Sequence, residues 1–327
     1  MTSIATQDQL KTLVVLDVGL SKPVAGKSFQ EIISRGEVLA LPLDGRDPVL
    51  ITSDVDSVAL PDGVVYSAKR QRIYFTNMGI PPLNDGNVCS VRLDGTHIET
   101  VLAKGSVHTP KQLALDHVNE KLYISDREGL RVMRCDLDGS GLETLVQTGD
   151  YRNPDEARDQ TKWCVGIAVS SKTGLFYWTQ KGPSKSGHGR IFCAPIDATE
   201  GRRHPVCVLD NLPEPIDLEF DETSNILYWT DRGEVPYGNT FNRIRLDASG
   251  TGPATVSPDA VTGLRHEILA QNFDETIGLA FDKAEGRWYI SDMGGTIWIF
   301  DIKSRSKSKL FEDKSRAFTG IVLVVRG

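Results

Sequence analysis

Four side chains near the middle of the 327-residue chain, Lys181, His188, Arg232 and Glu234, are of the types that give or take a proton or steady a developing negative charge. They stand in two Gly- and Pro-bearing stretches, 181–190 and 232–242, each following an aromatic, β-rich run. Met78, Trp163, Gln180, Tyr237, Phe241, Asn242 and His108 offer walls and hydrogen bonds around them. An apolar surround with a few directed polar groups suits a small organic ligand. A second reading stays open for several of these residues. His188, in Ser-Gly-His-Gly, and His108 read equally as solvated loop histidines, and Trp163 as a loop anchor. Cys164 has no His/Asn partner signature and reads as a small inert hydrophobe.

The elements that would position these residues are repeated. Tyr74, Tyr123, Tyr177, Tyr228 and Tyr289 each sit in a pentapeptide such as Leu227-Tyr228-Trp229-Thr230-Asp231, at a period of roughly fifty to sixty residues. Seven residues before each tyrosine another strand-like run ends, at Ser67, Asp116, Ser170, Asp221 and Asp282, which predicts a hairpin. A third run closes in Leu-Asp-Gly at Gly45, Gly95 and Gly139, with weaker copies at Asp197 and Asp247, and 297–302 fills the last place. Asp-Gly between apolar runs predicts a two-residue turn with φ > 0, leading to a short fourth strand.

Four antiparallel strands in about fifty residues make one propeller blade. Five tyrosine motifs and six third-strand motifs predict an all-β, six-bladed β-propeller occupying 1–327 as a single domain. The sixth blade would be closed by 319–325 as its inner strand and by N-terminal segments. The tyrosines then read as core, and Asp126, Asp231 and Asp292 as acceptors for backbone or for neighbouring blades. Strand order puts the first–second and third–fourth turns, read as uniformly short, on one face. Loops 78–87, 181–190 and 232–242 and the crossing 147–164 are long and share the other face, whereas 127–130 and 293–296 are short. Long loops on a rigid scaffold are where sites form, so that face should carry function, weighted to the blades of Tyr74, Tyr177 and Tyr228.

Composition excludes other classes. With 37 Lys+Arg against 44 Asp+Glu the chain lacks the basic surface that nucleic acid requires. Apolar runs such as 321–325 fall far short of the ~18 residues of a membrane helix. Five widely spaced cysteines without a CxxC pair predict neither a disulfide framework nor a zinc site. The first ten residues lack the basic and apolar regions of a signal peptide, and no Asn-x-Ser/Thr occurs, so a cytoplasmic setting is expected.

The set Tyr-Trp-Thr-Asp, Leu-Ala-x-Asp and Leu-Asp-Gly resembles the YWTD repeats of low-density-lipoprotein-receptor class B propellers, from about Val38 onwards. Only Tyr228–Asp231 matches the tetrapeptide fully; Tyr177 begins a copy that ends in Gln180. As a stand-alone propeller of this length the chain is similar to the fungal hetero-Diels–Alderases of tropolone-sesquiterpenoid biosynthesis. That resemblance implies dehydration of a hydroxymethyl-tropolone to an o-quinone methide, then guided cycloaddition onto a humulene-type alkene. It implies no cofactor and no metal, and tropolone and terpenoid small molecules as the partners. Orientation supplies much of the rate of such a cycloaddition, while the preceding loss of water needs an acid at the leaving hydroxyl and can use a base at the tropolone hydroxyl. His188, Glu234, Lys181 and Arg232 are the candidates for those roles. A calcium-dependent lactonase-like hydrolase is the alternative, with Asn272, Glu275, Asp217 and Glu214 as oxygen ligands. A non-enzymatic interaction propeller is the third reading.

Overall fold

The second strands are buried on both faces. Leu175–Gln180 and Ile226–Asp231 have no exposed position, and the five motif tyrosines are core residues. A strand with two buried faces needs a sheet stacked on either side, and radial sheets supply it. The computed structural model describes residues 10–53, 58–197, 204–255, 257–258 and 263–326. Residues 1–9, on which most of the signal-peptide reading rests, lie outside the described residues. The described strands form six four-stranded antiparallel sheets. Their inner strands are Pro61–Ser67, Pro110–Asp116, Cys164–Ser170, Pro215–Asp221, Thr276–Asp282 and Phe318–Arg326, for blades one to six. The first five end where the tyrosine offset places them. Each inner strand packs beside the next, and that of blade six lies between those of blades five and one, closing the ring.

Blade six is shared as expected. Phe318–Arg326 pairs with Leu10–Asp17, which pairs with Glu37–Pro42 and then Val49–Thr52. In this register Val14 stands where the other blades carry tyrosine and Asp17 where they carry the motif acid. A sixth motif is therefore present without its aromatic residue. Asp17 keeps the acid's work, accepting from Gly19 N (2.9 Å), Ala317 N (3.2 Å) and Arg316 (2.9 Å).

The motif's hydroxyl joins the blades. Thr76 Oγ1 donates to Lys111 O (2.7 Å), Ser125 Oγ to Gly166 O (2.9 Å), Thr179 Oγ1 to Ile216 O (2.9 Å) and Thr230 Oγ1 to Ile277 O (2.5 Å). Ser291 donates to Thr319 O; in blade six Leu16 takes the hydroxyl's place, and Thr319 of the inner strand closes the circle with its Oγ1 donating to Pro61 O (2.9 Å). The motif acids bind backbone as read: Asp126 accepts from His108 N and Thr109 N, Asp231 from Glu214 N and Gly233 N, and Asp292 from Thr296 N.

Two expectations about turns need correction. The Asp-Gly turns are not two-residue hairpins; Gly95 N and Gly139 N close four-residue turns onto Arg92 O and Asp136 O, both at 2.9 Å. Glycine is required there twice over. Its φ is +79° and +85°, and a Cβ would stand 2.4 Å from Ile51 O or 1.9 Å from Val101 O on the preceding blade's outer strand. Nor are the turns of that face uniformly short: residues 246–266 separate Thr240–Arg245 from Glu267–Ala270 in blade four. On the opposite face the longest two–three loop is that of blade six, 18–36, which carries the five-residue helix Phe29–Ile33 with a Ser28/Glu31 capping box. The same N-terminal stretch thus both completes a blade and lies on the long-loop face.

Candidate functional site

All five inner strands of blades one to five break register at one place, between Pro61 and Val64, Pro110 and Leu113, Cys164 and Ile167, Pro215 and Leu218, and Thr276 and Leu279. Such bulges re-aim side chains. Their first residues are Asp62, Lys111, Val165, Ile216 and Ile277, near the long-loop end of the axial channel. Val165, Ile216 and Ile277 form one buried apolar cluster with Met293 against it. Asp62 and Lys111 form an ion pair across blades one and two, and Gln112 Nε2 donates to Asp62 Oδ1 (3.0 Å). The layer is therefore apolar along one arc and charged along the other.

At the mouth the two–three loops of blades two, three and four add three more cations, Arg127, Lys181 and Arg232. Lys181 and Arg232 share one carboxylate: Glu214 Oε1 accepts from Lys181 Nζ at 2.9 Å and from Arg232 Nη2 at 2.6 Å. Its Oε2 accepts from Ser184 Oγ (3.2 Å) and Lys185 N (3.1 Å). Glu214 is fully buried between Pro213 and Pro215, in the tightest crossing between two blades. Burial opposes its ionisation, but Arg232 and Lys181 outweigh that and hold the carboxyl below its ordinary value. Burial also pulls the Lys181 ammonium down, against the attraction of Glu214. Arg127, paired with Glu128, lies 4.9 Å above the Trp163 ring, and Lys181 Nζ lies 5.8 Å from it. The indole is half-buried and fixed by its Nε1 donating to Ala157 O (3.1 Å), at the end of the short helix Pro154–Arg158. Met78 bounds the opposite side; its Sδ accepts from Lys111 Nζ (3.2 Å), and it packs with Ile80, Met293, Val18 and Ile33.

The structure thus brings together Lys181, Arg232, Trp163 and Met78. Gln180 is buried at the end of its strand beside them. Other candidates are placed elsewhere. Phe241 is a core residue, packed on Tyr228, Trp288 and Phe300, and not a pocket wall. Asn242 is likewise interior, donating to Thr240 Oγ1 (2.9 Å). Both fall on the third strand Thr240–Arg245, which begins earlier than the loop reading allowed. His188 is exposed, as its solvated reading had it. Glu234 is an exposed rim residue paired with Lys185 (2.9 Å). Tyr237 is exposed and borders a groove on the flank of blade four. His108 is buried, with Nδ1 3.0 Å from Thr109 Oγ1 and its ring edge-on to Tyr151 (5.3 Å). Cys164 is buried and its thiol is pushed up to about 12, which removes it as a nucleophile. Lys111, Asp62 and Arg127 were not singled out from the sequence.

The oxygen groups weighed for calcium do not converge. Glu214 is occupied by two cations, and Glu275 faces Lys185 (3.5 Å) and Arg232 (3.7 Å). Asp217 accepts Leu218 N (2.9 Å) and Leu279 N (3.2 Å), with burial raising its carboxyl well above the ordinary range. Asn272 is exposed. Among the described residues no three His, Cys, Asp or Glu side chains gather to hold a metal ion. Two cavities lie away from the mouth: the flank groove of about 1010 Å³, and about 480 Å³ of the lower channel around Gln112, Asp217 and Glu219. The flank groove is lined by Arg243, Arg245 and Arg265, with Arg243 paired to Glu267 (2.7 Å), and the lower channel by no lysine or arginine among the described residues.

Asp231, beneath Glu214, titrates against the fold. Burial pushes its carboxyl up to about 7, opposed by the amides of Gly233 and Glu214. The unfolded group ionises near 3.8 while the folded one keeps its proton. Its contribution is therefore complete below about pH 4 and is lost as pH rises to about 7, by up to roughly 4 kcal/mol. Asp231→Asn keeps the accepting oxygen and has no proton to lose. Urea melts from pH 4 to 8 should show a flatter profile for this variant than for wild type; parallel profiles would contradict the assignment.

No family model matches the chain. A Pyricularia oryzae protein named low-density lipoprotein receptor-related protein 1 is 41% identical over 317 residues, 95% of this chain and 97% of its own length. The chain belongs to that protein's family. A Cochliobolus heterostrophus relative, named 3-hydroxyacyl-CoA dehydrogenase-like protein LAM1, is 42% identical over 316 residues. The match covers 95% of this chain, which spans only 64% of that relative's length. Among solved structures the fold matches a chain of the nidogen/laminin complex, with TM-score 0.67, 16% identity, and 96% and 98% of the two chains covered. It also matches a gluconolactonase from Xanthomonas campestris, with TM-score 0.58, 16% identity, and 81% and 79% covered. The chain is thus a six-bladed propeller that resembles those of the YWTD type and has fungal relatives. No helix among the described residues is long and apolar enough to cross a membrane.

Proposed function

We propose that the long-loop mouth of the channel is an active site. It dehydrates a hydroxymethyl-tropolone to an o-quinone methide and directs its hetero-Diels–Alder cycloaddition onto a humulene-type alkene. One observation carries this reading: Arg127 and Lys181 lie over a half-buried indole, Lys181 shares Glu214 with Arg232, and Lys111, which Arg127 and Arg232 face, sits against an apolar wall of Met78, Ile80 and Met293. A tropolonate is planar and anionic, which suits the cations and the Trp163 face. The hydrocarbon ring suits the methionine side. Holding both partners in one orientation is the main catalytic demand of a cycloaddition, and no nucleophile is needed.

The lactonase alternative lacks support from the oxygen groups weighed for it, and the dehydrogenase name of the Cochliobolus relative finds no parallel nucleotide-binding sheet among the described strands. Incubating the protein with a hydroxymethyl-tropolone and a humulene alcohol tests the proposal. A single stereoisomer is expected with protein and a mixture without it; the same mixture in both would refute it.

A further inference from the structure

Sequence reasoning left the acid of the dehydration among His188, Glu234, Lys181 and Arg232, and the structure gives none of them a suitable place. Arg232 does not release a proton at accessible pH. Lys181 is buried and bound to Glu214 and Gly182 O (3.2 Å). His188 stands in solvent, and Glu234 is engaged by Lys185 on the exposed rim. Among the mouth's charged groups, Lys111 is aimed differently. The inner-strand bulge turns it out of the ladder, and its Nζ sits between the Asp62 carboxylate and Met78 Sδ. Two of its three N–H groups are so used, one of them on a weak thioether acceptor, and 12% of the side chain is exposed.

We propose that Lys111 donates the proton that lets the hydroxyl of the hydroxymethyl-tropolone leave, an inference that rests on the reading of the mouth given above. The substrate binds as the tropolonate, its acidic proton lost to solvent. An N–H of Lys111 passes its proton to the departing oxygen, and the C–O bond breaks with its electron pair on oxygen, giving water. The tropolonate oxygen's charge moves into the ring as its C=O forms, and the exocyclic carbon becomes the methide CH2. Lys111 is left as the neutral amine beside Asp62 and regains a proton from solvent. The charged groups that face it are Asp62, Arg127 and Arg232. Burial pulls its ammonium down to about 8, against the attraction of Asp62, so it is charged yet a competent donor at neutral pH.

The test uses two substrates: the hydroxymethyl-tropolone, and its acetate ester, which expels acetate without prior protonation. Lys111→Met should consume the alcohol at least ~100-fold more slowly and still convert the acetate, with humulene alcohol, to the wild-type stereoisomer. Lys111→Arg, charged but unable to donate, should fail on the alcohol in the same way. Wild-type turnover of the alcohol should fall above pH 8, and turnover of the acetate should not. Because Lys111→Met strands a buried carboxylate, Asp62→Asn/Lys111→Met is measured beside it. Near-normal alcohol turnover in either variant would overturn the proposal, as would equal loss on both substrates, which would mark Lys111 as a residue that only shapes the mouth. A wild type that steers neither substrate would overturn the reading of the mouth and this role with it.

Discussion

Glu214→Ala should cost about 3–5 kcal/mol of stability, measured by urea unfolding at pH 7. It should also abolish steering of the cycloaddition. Removing this carboxylate strands Lys181, which is 5% exposed, and frees Arg232 from its 2.6 Å contact. A buried cation without its counter-charge is far worse than a buried pair. Glu214→Gln would keep the volume but supply an amide to two cations, and should lose nearly as much. Adding Lys181→Met to Glu214→Ala removes the stranded ammonium. The double variant should therefore recover much of the stability while remaining inactive. If Glu214→Ala alone stays within about 1 kcal/mol of wild type, the shared carboxylate does not hold the mouth together.

Gly166→Ala should be comparably damaging, for a reason that has nothing to do with charge. A methyl group there would stand 2.0 Å from Ile216 O and 3.1 Å from Asp217 Cα, both backbone atoms of the next inner strand. No rotamer relieves that contact, so the inner strands of blades three and four must part. Moving them stretches the Thr179–Ile216 bond and disturbs the apolar layer. Overpacking of this kind costs about 1–3 kcal/mol and more where backbone must yield. Gly174→Ala is the control. Its Cβ would meet nothing within 4 Å and carries only the strain of φ +67°, worth about 1 kcal/mol. Equal melting temperatures for the two variants would show that the inner strands tolerate separation.

The fold was legible because every level of the sequence repeats it. Tyrosine core, hydroxyl stitch, backbone-binding acid and Gly-closed turn recur in phase, so even the degenerate sixth copy at Val14 and Asp17 fits one register. The site was only half legible. Lys181, Arg232, Trp163 and Met78 lie in long loops or at their ends, and loop length shows in a sequence. Lys111 lies within what reads as a strand. The bulge after Pro110 shifts the period-two alternation by one residue, and sequence alternation alone gives no sign of it. Glu214 was weighed as a metal ligand because an isolated acid beside two prolines shows no trace of cations brought from two separate loops, one before it and one after it. Phe241 and Asn242 were misplaced although Gly238 and Asn239, the latter at φ +52°, mark the end of the loop just before Thr240.

The sixth blade imposes an order in time. Leu10–Asp17 is synthesised early, but the strand it must pair with, Phe318–Arg326, lies about three hundred residues further on. Until then it is a sticky edge carrying Leu13, Val14, Val15 and Leu16, all destined for the interior. Blades one to five can each close locally as they emerge, whereas the join between first and last strands is a long-range contact, the slowest kind to form. The hydroxyl stitches at Ser291–Thr319 and Thr319–Pro61 wait on that same event. Until Phe318–Arg326 joins, the propeller is therefore an open crescent of blades, and that strand closes it into a ring.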